Sequence, residues 1–161
     1  IIVGIVASYQ LAGLFGIAIA TTAMLALAGY GLFPTAPPRF FPEWGFFDAV
    51  SAFTGVTHTD SVSALFNPYA AVPSMHVCFA LMIGIPLSRL CKHRAVRVFW
   101  AVYPLLVCFV IVTTANHFLA DAFLGACTAG LAACAARWIG RLRPSAWSWL
   151  QTGGGRPAAA R

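Results

Sequence analysis

Apolar residues fill four long runs of this chain, and the polar positions collect between them. The runs lie within residues 1–33, then at about 72–90, 98–114 and 117–139. A helix needs about 20 apolar residues to cross a bilayer, so each run predicts a transmembrane helix. The first is longer than one crossing requires, which predicts a tilted helix or the end of a preceding element. Pro104 predicts a kink in the third. Gly and Ala recur through the spans, and small residues let helices approach closely. No internal repeat is visible.

The segment 34–71 between the first two spans is different. It opens with Phe33-Pro34-Thr35-Ala36-Pro37-Pro38-Arg39 and carries Phe40, Phe41, Trp44, Phe46, Phe47, Phe53, Phe66 and Tyr69. Such a loop is expected on the membrane surface with its aromatics at headgroup depth, and a short amphipathic helix is expected near 44–53. The predicted organisation is one membrane-embedded domain, 1–143, and a tail, 144–161. Gly153, Gly154, Gly155 and Pro157 predict disorder at the end of that tail.

Composition supports this reading. The chain is 60% hydrophobic and 9% charged, with mean hydropathy +0.82, whereas soluble domains carry roughly 25% charged residues. The expected fold class is an all-α integral membrane bundle of about four helices, with short interfacial helices in the outer loop. The apolar start has no basic residues before it and runs too long for a cleaved signal. Five cysteines lie in or beside the spans without a CxxC pair, so they read as small buried apolar residues rather than a disulfide or metal set.

The net charge of +6 does not mark a nucleic-acid binder, because the basic residues flank apolar segments instead of forming a stripe with aromatics. It sets topology. Arg89, Lys92, Arg94 and Arg97 separate the second and third spans; Arg137, Arg141, Arg143, Arg156 and Arg161 follow the last turns of the fourth. These nine share one side, which the positive-inside rule makes cytoplasmic. Arg39 alone among the basic residues falls on the other side, and topology gives no reason for it.

Candidate chemistry gathers on that outer side. His117 and Asp121 are four residues apart, a spacing that brings two side chains to one helical face. Ionisable residues in membrane segments are costly and mark functional sites. His76, in Pro73-Ser74-Met75-His76, opens the second span at the same membrane level, and Arg39 is on that side too. The set suits phosphoryl transfer. Arg39 offers a planar fork of donors to phosphate, and a helix N-terminus at Ser74 favours an anion. His117 is the expected nucleophile, oriented by Asp121, and His76 the expected acid and base. Ser74 and Asn116 are further phosphate-binding candidates. Four carboxylates without a cluster offer no two-metal site, so neither metal nor cofactor is expected.

At these residues the chain resembles the type 2 phosphatidic acid phosphatase superfamily of membrane lipid-phosphate phosphatases and phosphotransferases. That family's second motif, Pro-Ser-Gly-His, is matched by Pro73-Ser74-Met75-His76, with Met75 in place of the glycine. The His-three-residues-Asp end of its third motif is matched by His117 and Asp121. The resemblance implies the same roles for His117, Asp121 and His76, and a six-span core. Arg39 fits the arginine of the first motif, but Leu32 stands where its lysine would be and Phe40 where its proline would be. Val110 and Ile111 stand where the third motif has Ser-Arg. Pro37-Pro38-Arg39, Val72-Pro73-Ser74-Met75-His76 and Asn116-His117 together look more like the inositol phosphorylceramide synthase-like branch, which moves a phosphoinositol head group between lipids.

The expected activity is therefore cleavage or transfer of a phosphoryl or phospho-head-group from a lipid phosphate or pyrophosphate at the extracytoplasmic face, through a phosphohistidine. The acceptor is water or an alcohol such as inositol, and no nucleic acid is involved. Simpler roles exist for each residue. Ser74 and Asn116 are good helix caps, Arg39 a good interface anchor, His58 and Asp60 fit a solvated loop, and His93 belongs to the basic loop. The rival readings are a non-catalytic lipid-binding or transport protein, and a dead enzyme kept as a scaffold.

Overall fold

A computed structural model describes residues 2–55, 67 and 69–142, with the side chains of 2–12, 50 and 54 left aside. His58, Asp60 and the tail 144–161 lie outside the described residues. Among the described residues five α-helices follow in order: α1, Ile2–Leu32; α2, Ala49–Thr54; α3, Met75–Leu90; α4, Arg94–Thr113; and α5, Leu119–Leu142. Two 3₁₀ turns, Pro38–Phe40 and Pro42–Trp44, precede α2. Among the described residues the β structure is a single parallel bridge, Thr35 to Ala70. The protein is an all-α integral membrane protein.

Among the described residues three helices are long and apolar enough to cross a bilayer, within Gly13–Leu32, Arg94–Thr113 and Leu119–Leu142. The second expected span is shorter. Val72, Pro73 and Ser74 are not helical, so α3 starts at Met75 and has 16 residues, about 24 Å at 1.5 Å per residue. That is less than the ~30 Å hydrocarbon core. α4 begins four residues before the expected 98 and takes Arg94 and Arg97 into its first turn. Pro104 lies inside α4 without ending it. α5 begins two residues later than expected, which leaves His117 just outside it.

The interfacial helix is also shorter than 44–53. Gly45 takes a left-handed conformation at φ +82, which ends the turn at Trp44. Asp48 then caps α2, accepting the Ser51 N–H at 3.1 Å and the Ser51 hydroxyl at 2.6 Å. Trp44, Phe47 and Phe53 remain exposed, as interface anchors do.

The chain packs as two units, Ile1–Thr21 with Leu131–Arg161, and Thr22–Gly130. In the first, Gly140 of α5 faces the Leu14 side chain so closely that a Cβ would meet Leu14 Cδ2 at 2.6 Å. The second holds every candidate residue. There α3 and α4 pack through Gly84, where a Cβ would meet the Trp100 carbonyl at 2.7 Å. Thr22 of α1 donates to the Met82 sulfur of α3 at 3.3 Å, and both are buried. Val77, Ile111 and Ala122, one each from α3, α4 and α5, form a small apolar core. All five cysteines are free. Cys78 is buried, but Cys127 and Cys134 are exposed on α5, against the expectation of buried small residues.

Candidate active site

Four chain segments meet above the core of Val77, Ile111 and Ala122. The first is the end of α1, whose Tyr30 hydroxyl donates to the Pro73 carbonyl at 3.3 Å. The second is the extended stretch leading to α3. Its Ser74 N–H donates to the Asp121 carbonyl at 3.1 Å, which ties the start of α3 to the start of α5. Gly125, one turn beyond Asp121, makes this possible, since a Cβ there would run into the Ser74 carbonyl oxygen.

The third segment is the α4–α5 turn. Ala115 adopts φ +53, a left-handed conformation that costs a non-glycine residue ~1–2 kcal/mol. In return the chain reverses sharply, and the N–H groups of Asn116 and His117 both donate to the Ile111 carbonyl, at 2.9 and 3.1 Å. The fourth is the turn Pro38–Phe40. The Arg39 N–H donates to the Ala115 carbonyl at 2.9 Å, so Arg39 is docked on the same turn that carries His117.

His117 is the centre. It is buried and contacted on both ring nitrogens. Its Nε2 lies 3.2 Å from His76 Nδ1. Its Nδ1 lies 3.4 Å from Asp121 Oδ2, without full hydrogen-bond geometry, and such contacts often tighten only when a site is occupied. Asp121 has a second task that spacing did not reveal. Its Oδ2 accepts the Phe118 N–H at 2.9 Å, so it reaches back from the third helical position to cap α5, as the acidic partner of a capping box does.

Burial holds the His117 imidazole below its ordinary value of 6.5, and the neighbouring His76 pushes it the same way; Asp121 and a backbone group of Ala71 pull against them. The ring is therefore neutral at neutral pH. With Asp121 facing Nδ1, the proton belongs there and the lone pair at Nε2, where His76 Nδ1 supplies the hydrogen.

The remaining candidates surround this pair. Ser74 occupies the N-cap position of α3 but makes no side-chain cap. Its hydroxyl is wholly buried and has no partner. Arg39 Nη1 donates to Asn116 Oδ1, and its Nε faces Asp48 Oδ1 at 3.9 Å. Burial draws the guanidinium below its usual range while Asp48 opposes. Asn116 does not cap α5; its Nδ2 donates to Thr114 Oγ1 at 2.7 Å. Three participants went unnoticed in the sequence. Asp48 and Thr114 gave no signal there, because their partners are fixed by loop packing. Gly125 did give one, lying four residues beyond Asp121 on the same face. Among the described residues, no three His, Cys, Asp or Glu side chains are grouped as metal donors.

A family model described as the PAP2 superfamily matches residues 6–135. The chain belongs to the PAP2 superfamily. The match covers α2 to α4 and most of α1 and α5, with all six candidate residues inside it. PAP2 proteins are generally phosphatases acting on lipid phosphates in membranes, so a lipid-phosphate phosphatase or phosphotransferase type of function follows for this member. No solved structure matches the chain. Ile111, at the position where the third PAP2 motif has arginine, is buried in the core below the site and supplies the carbonyl that anchors the His117 turn.

Proposed function

We propose that this protein removes or transfers a phosphoryl group, or a phospho-head-group, from a lipid phosphate through a phosphohistidine on His117. The observation that carries this is the buried His117 with Asp121 on one ring nitrogen and His76 on the other. The lone pair on Nε2 attacks phosphorus, and the bond to the lipid or head-group oxygen breaks. That oxygen takes the Nδ1 proton of His76. In the second half, His76 Nδ1 accepts a proton from the incoming hydroxyl, whose oxygen attacks phosphorus and breaks the P–N bond. Charge on the equatorial oxygens is met by Arg39, the unpartnered Ser74 hydroxyl and the N-terminus of α3. A phosphate in line with Nε2 must enter between the two imidazoles, so binding parts them.

The acceptor is water in a phosphatase and an alcohol in a transferase. The pattern Pro37-Pro38-Arg39, Val72-Pro73-Ser74-Met75-His76 and Asn116-His117 supports the inositolphosphotransferase-like alternative, and with apolar Ile111 in place of the motif arginine the phosphate grip centres on Arg39. Phosphate-labelled lipids, offered to the reconstituted protein with and without inositol-type acceptors, decide between them. Labelled free phosphate alone is the phosphatase result, and a new labelled phospholipid is the transferase result. Neither product from any lipid phosphate overturns the enzyme reading in favour of lipid binding or transport.

The same reading places the site at the extracytoplasmic face. Arg89, Lys92, Arg94 and Arg97 cluster where α3 meets α4, at the ends of those helices remote from His76 and Thr113. Glu43→Cys, at an exposed position beside the site loop, should react with an impermeant thiol reagent on intact cells. Labelling only after lysis would reverse the orientation.

A further inference from the structure

Asn116 lies beside the proposed nucleophile and bears an amide able to reach an anion. Its side chain, however, is engaged at both ends. Oδ1 accepts from Arg39 Nη1, and this orientation of the amide is obligatory, since a guanidinium has donors only. Nδ2 donates to Thr114 Oγ1 at 2.7 Å. That hydroxyl in turn donates to the Val110 carbonyl at 2.7 Å, which fixes it to the end of α4. The Arg39 guanidinium is thus connected through two side chains to a helix terminus, while its own N–H is docked on Ala115.

The Arg39 guanidinium also has a competitor for its donors, the carboxylate that caps α2. Asp48 Oδ1 stands 3.9 Å from Nε, too far for a hydrogen bond, and Nε is buried without a hydrogen-bond partner. A carboxylate is a stronger acceptor for a guanidinium than a neutral amide. An arginine side chain released from Asn116 would be free to close on Asp48, and its fork would lose the orientation that Asn116 sets.

We infer that Asn116 is a positioning residue which, held by Thr114, keeps Arg39 directed at the substrate phosphate and away from Asp48. This rests on Arg39 being the group that grips phosphate. It makes the α4–α5 turn a common platform, on which His117 and the phosphate-binding arginine are set by adjacent residues.

The test uses the full chain in detergent, with affinity for inorganic phosphate read from the shift in melting temperature. Arg39→Ala should weaken phosphate by about tenfold or more, the scale of a lost charge-assisted hydrogen bond. Asn116→Ala should weaken it by about tenfold, yet add nothing in an Arg39→Ala background, because coupled residues are not additive. Thr114→Val, which leaves residue 116 intact, should give a smaller loss that also vanishes without Arg39. With phosphatidic acid as substrate, the acid limb of the pH–rate profile in Asn116→Ala should stay where wild type has it, since His117 sets that limb; general loosening of the turn would move it. An equal loss from Asn116→Ala with and without Arg39 would mean direct contact with phosphate and overturn the inference, as would wild-type affinity in Asn116→Ala. If Arg39→Ala binds phosphate like wild type, the Arg39 reading itself fails.

Discussion

Replacing His117 by alanine should lower turnover of a lipid phosphate by at least ~10⁴-fold, the scale on which loss of a nucleophile acts. The fold should survive, because the His117 side chain makes no hydrogen bond that holds α5 in place. That work is done by the His117 N–H on the Ile111 carbonyl and by Asp121 on the Phe118 N–H, and an alanine keeps both. The pH dependence follows from the same residue. A nucleophilic imidazole must be neutral, and burial beside His76 holds His117 below 6.5. Activity should therefore fall only as pH drops below that value and titrates Nε2, not on approach from neutral pH. Stopped or quenched assays across pH 4 to 8, ~0.5 unit apart, read this limb against the free-histidine value. Full activity in His117→Ala, or an acid limb above 6.5, would remove His117 from the centre of the mechanism.

Gly125→Ala should also be damaging, by about a hundredfold in rate, although residue 125 touches no substrate. The added Cβ would overlap the Ser74 carbonyl oxygen and stand 3.1 Å from the Ser74 carbonyl carbon and 3.3 Å from its Cβ. These are backbone and short side-chain atoms that cannot swing aside. α3 and α5 must separate, which strains the Ser74–Asp121 bond and moves His76 away from His117. A misplacement of about 1 Å can cost ~10²-fold in rate, and overpacking costs ~1–3 kcal/mol in stability. Gly130→Ala is the matched control. It lies on the same helix with nothing within 4 Å of its added Cβ, so it should be neutral or stabilising by ~0.5–1 kcal/mol. Melting and turnover of both variants in one detergent provide the comparison. Equal behaviour would show that the α3–α5 approach at Ser74 does not set the site.

The membrane fold was legible because bilayer thickness imposes a length on apolar runs, and the runs at 98–114 and 117–139 are that long. The run at 72–90 misled at its start, since apolar Val72 extends the run while Val72, Pro73 and Ser74 all lie ahead of the first helical turn at Met75. The neighbourhood of His76, His117 and Arg39 was legible from charge, because basic residues placed three chain ends on one side. What spacing did not give is the conformation around His117. Its proximity to Asp121 was expected from a continuous helix, whereas His117 stands ahead of α5 and Asp121 reaches back over the first turn, where it also accepts the Phe118 N–H. The holders of Arg39 were illegible for a related reason. A side-chain hydrogen bond between positions 39 and 116 depends on how two turns dock, and no periodicity records that.

One carboxylate oxygen in this molecule answers to two masters, the imidazole of His117 and the first turn of α5. Selection for an intact helix therefore preserves Asp121 whether or not catalysis persists. In relatives that have drifted into inactivity, this aspartate should outlast the histidines. Its presence should therefore mark an active relative less well than the pair His76 and His117 does.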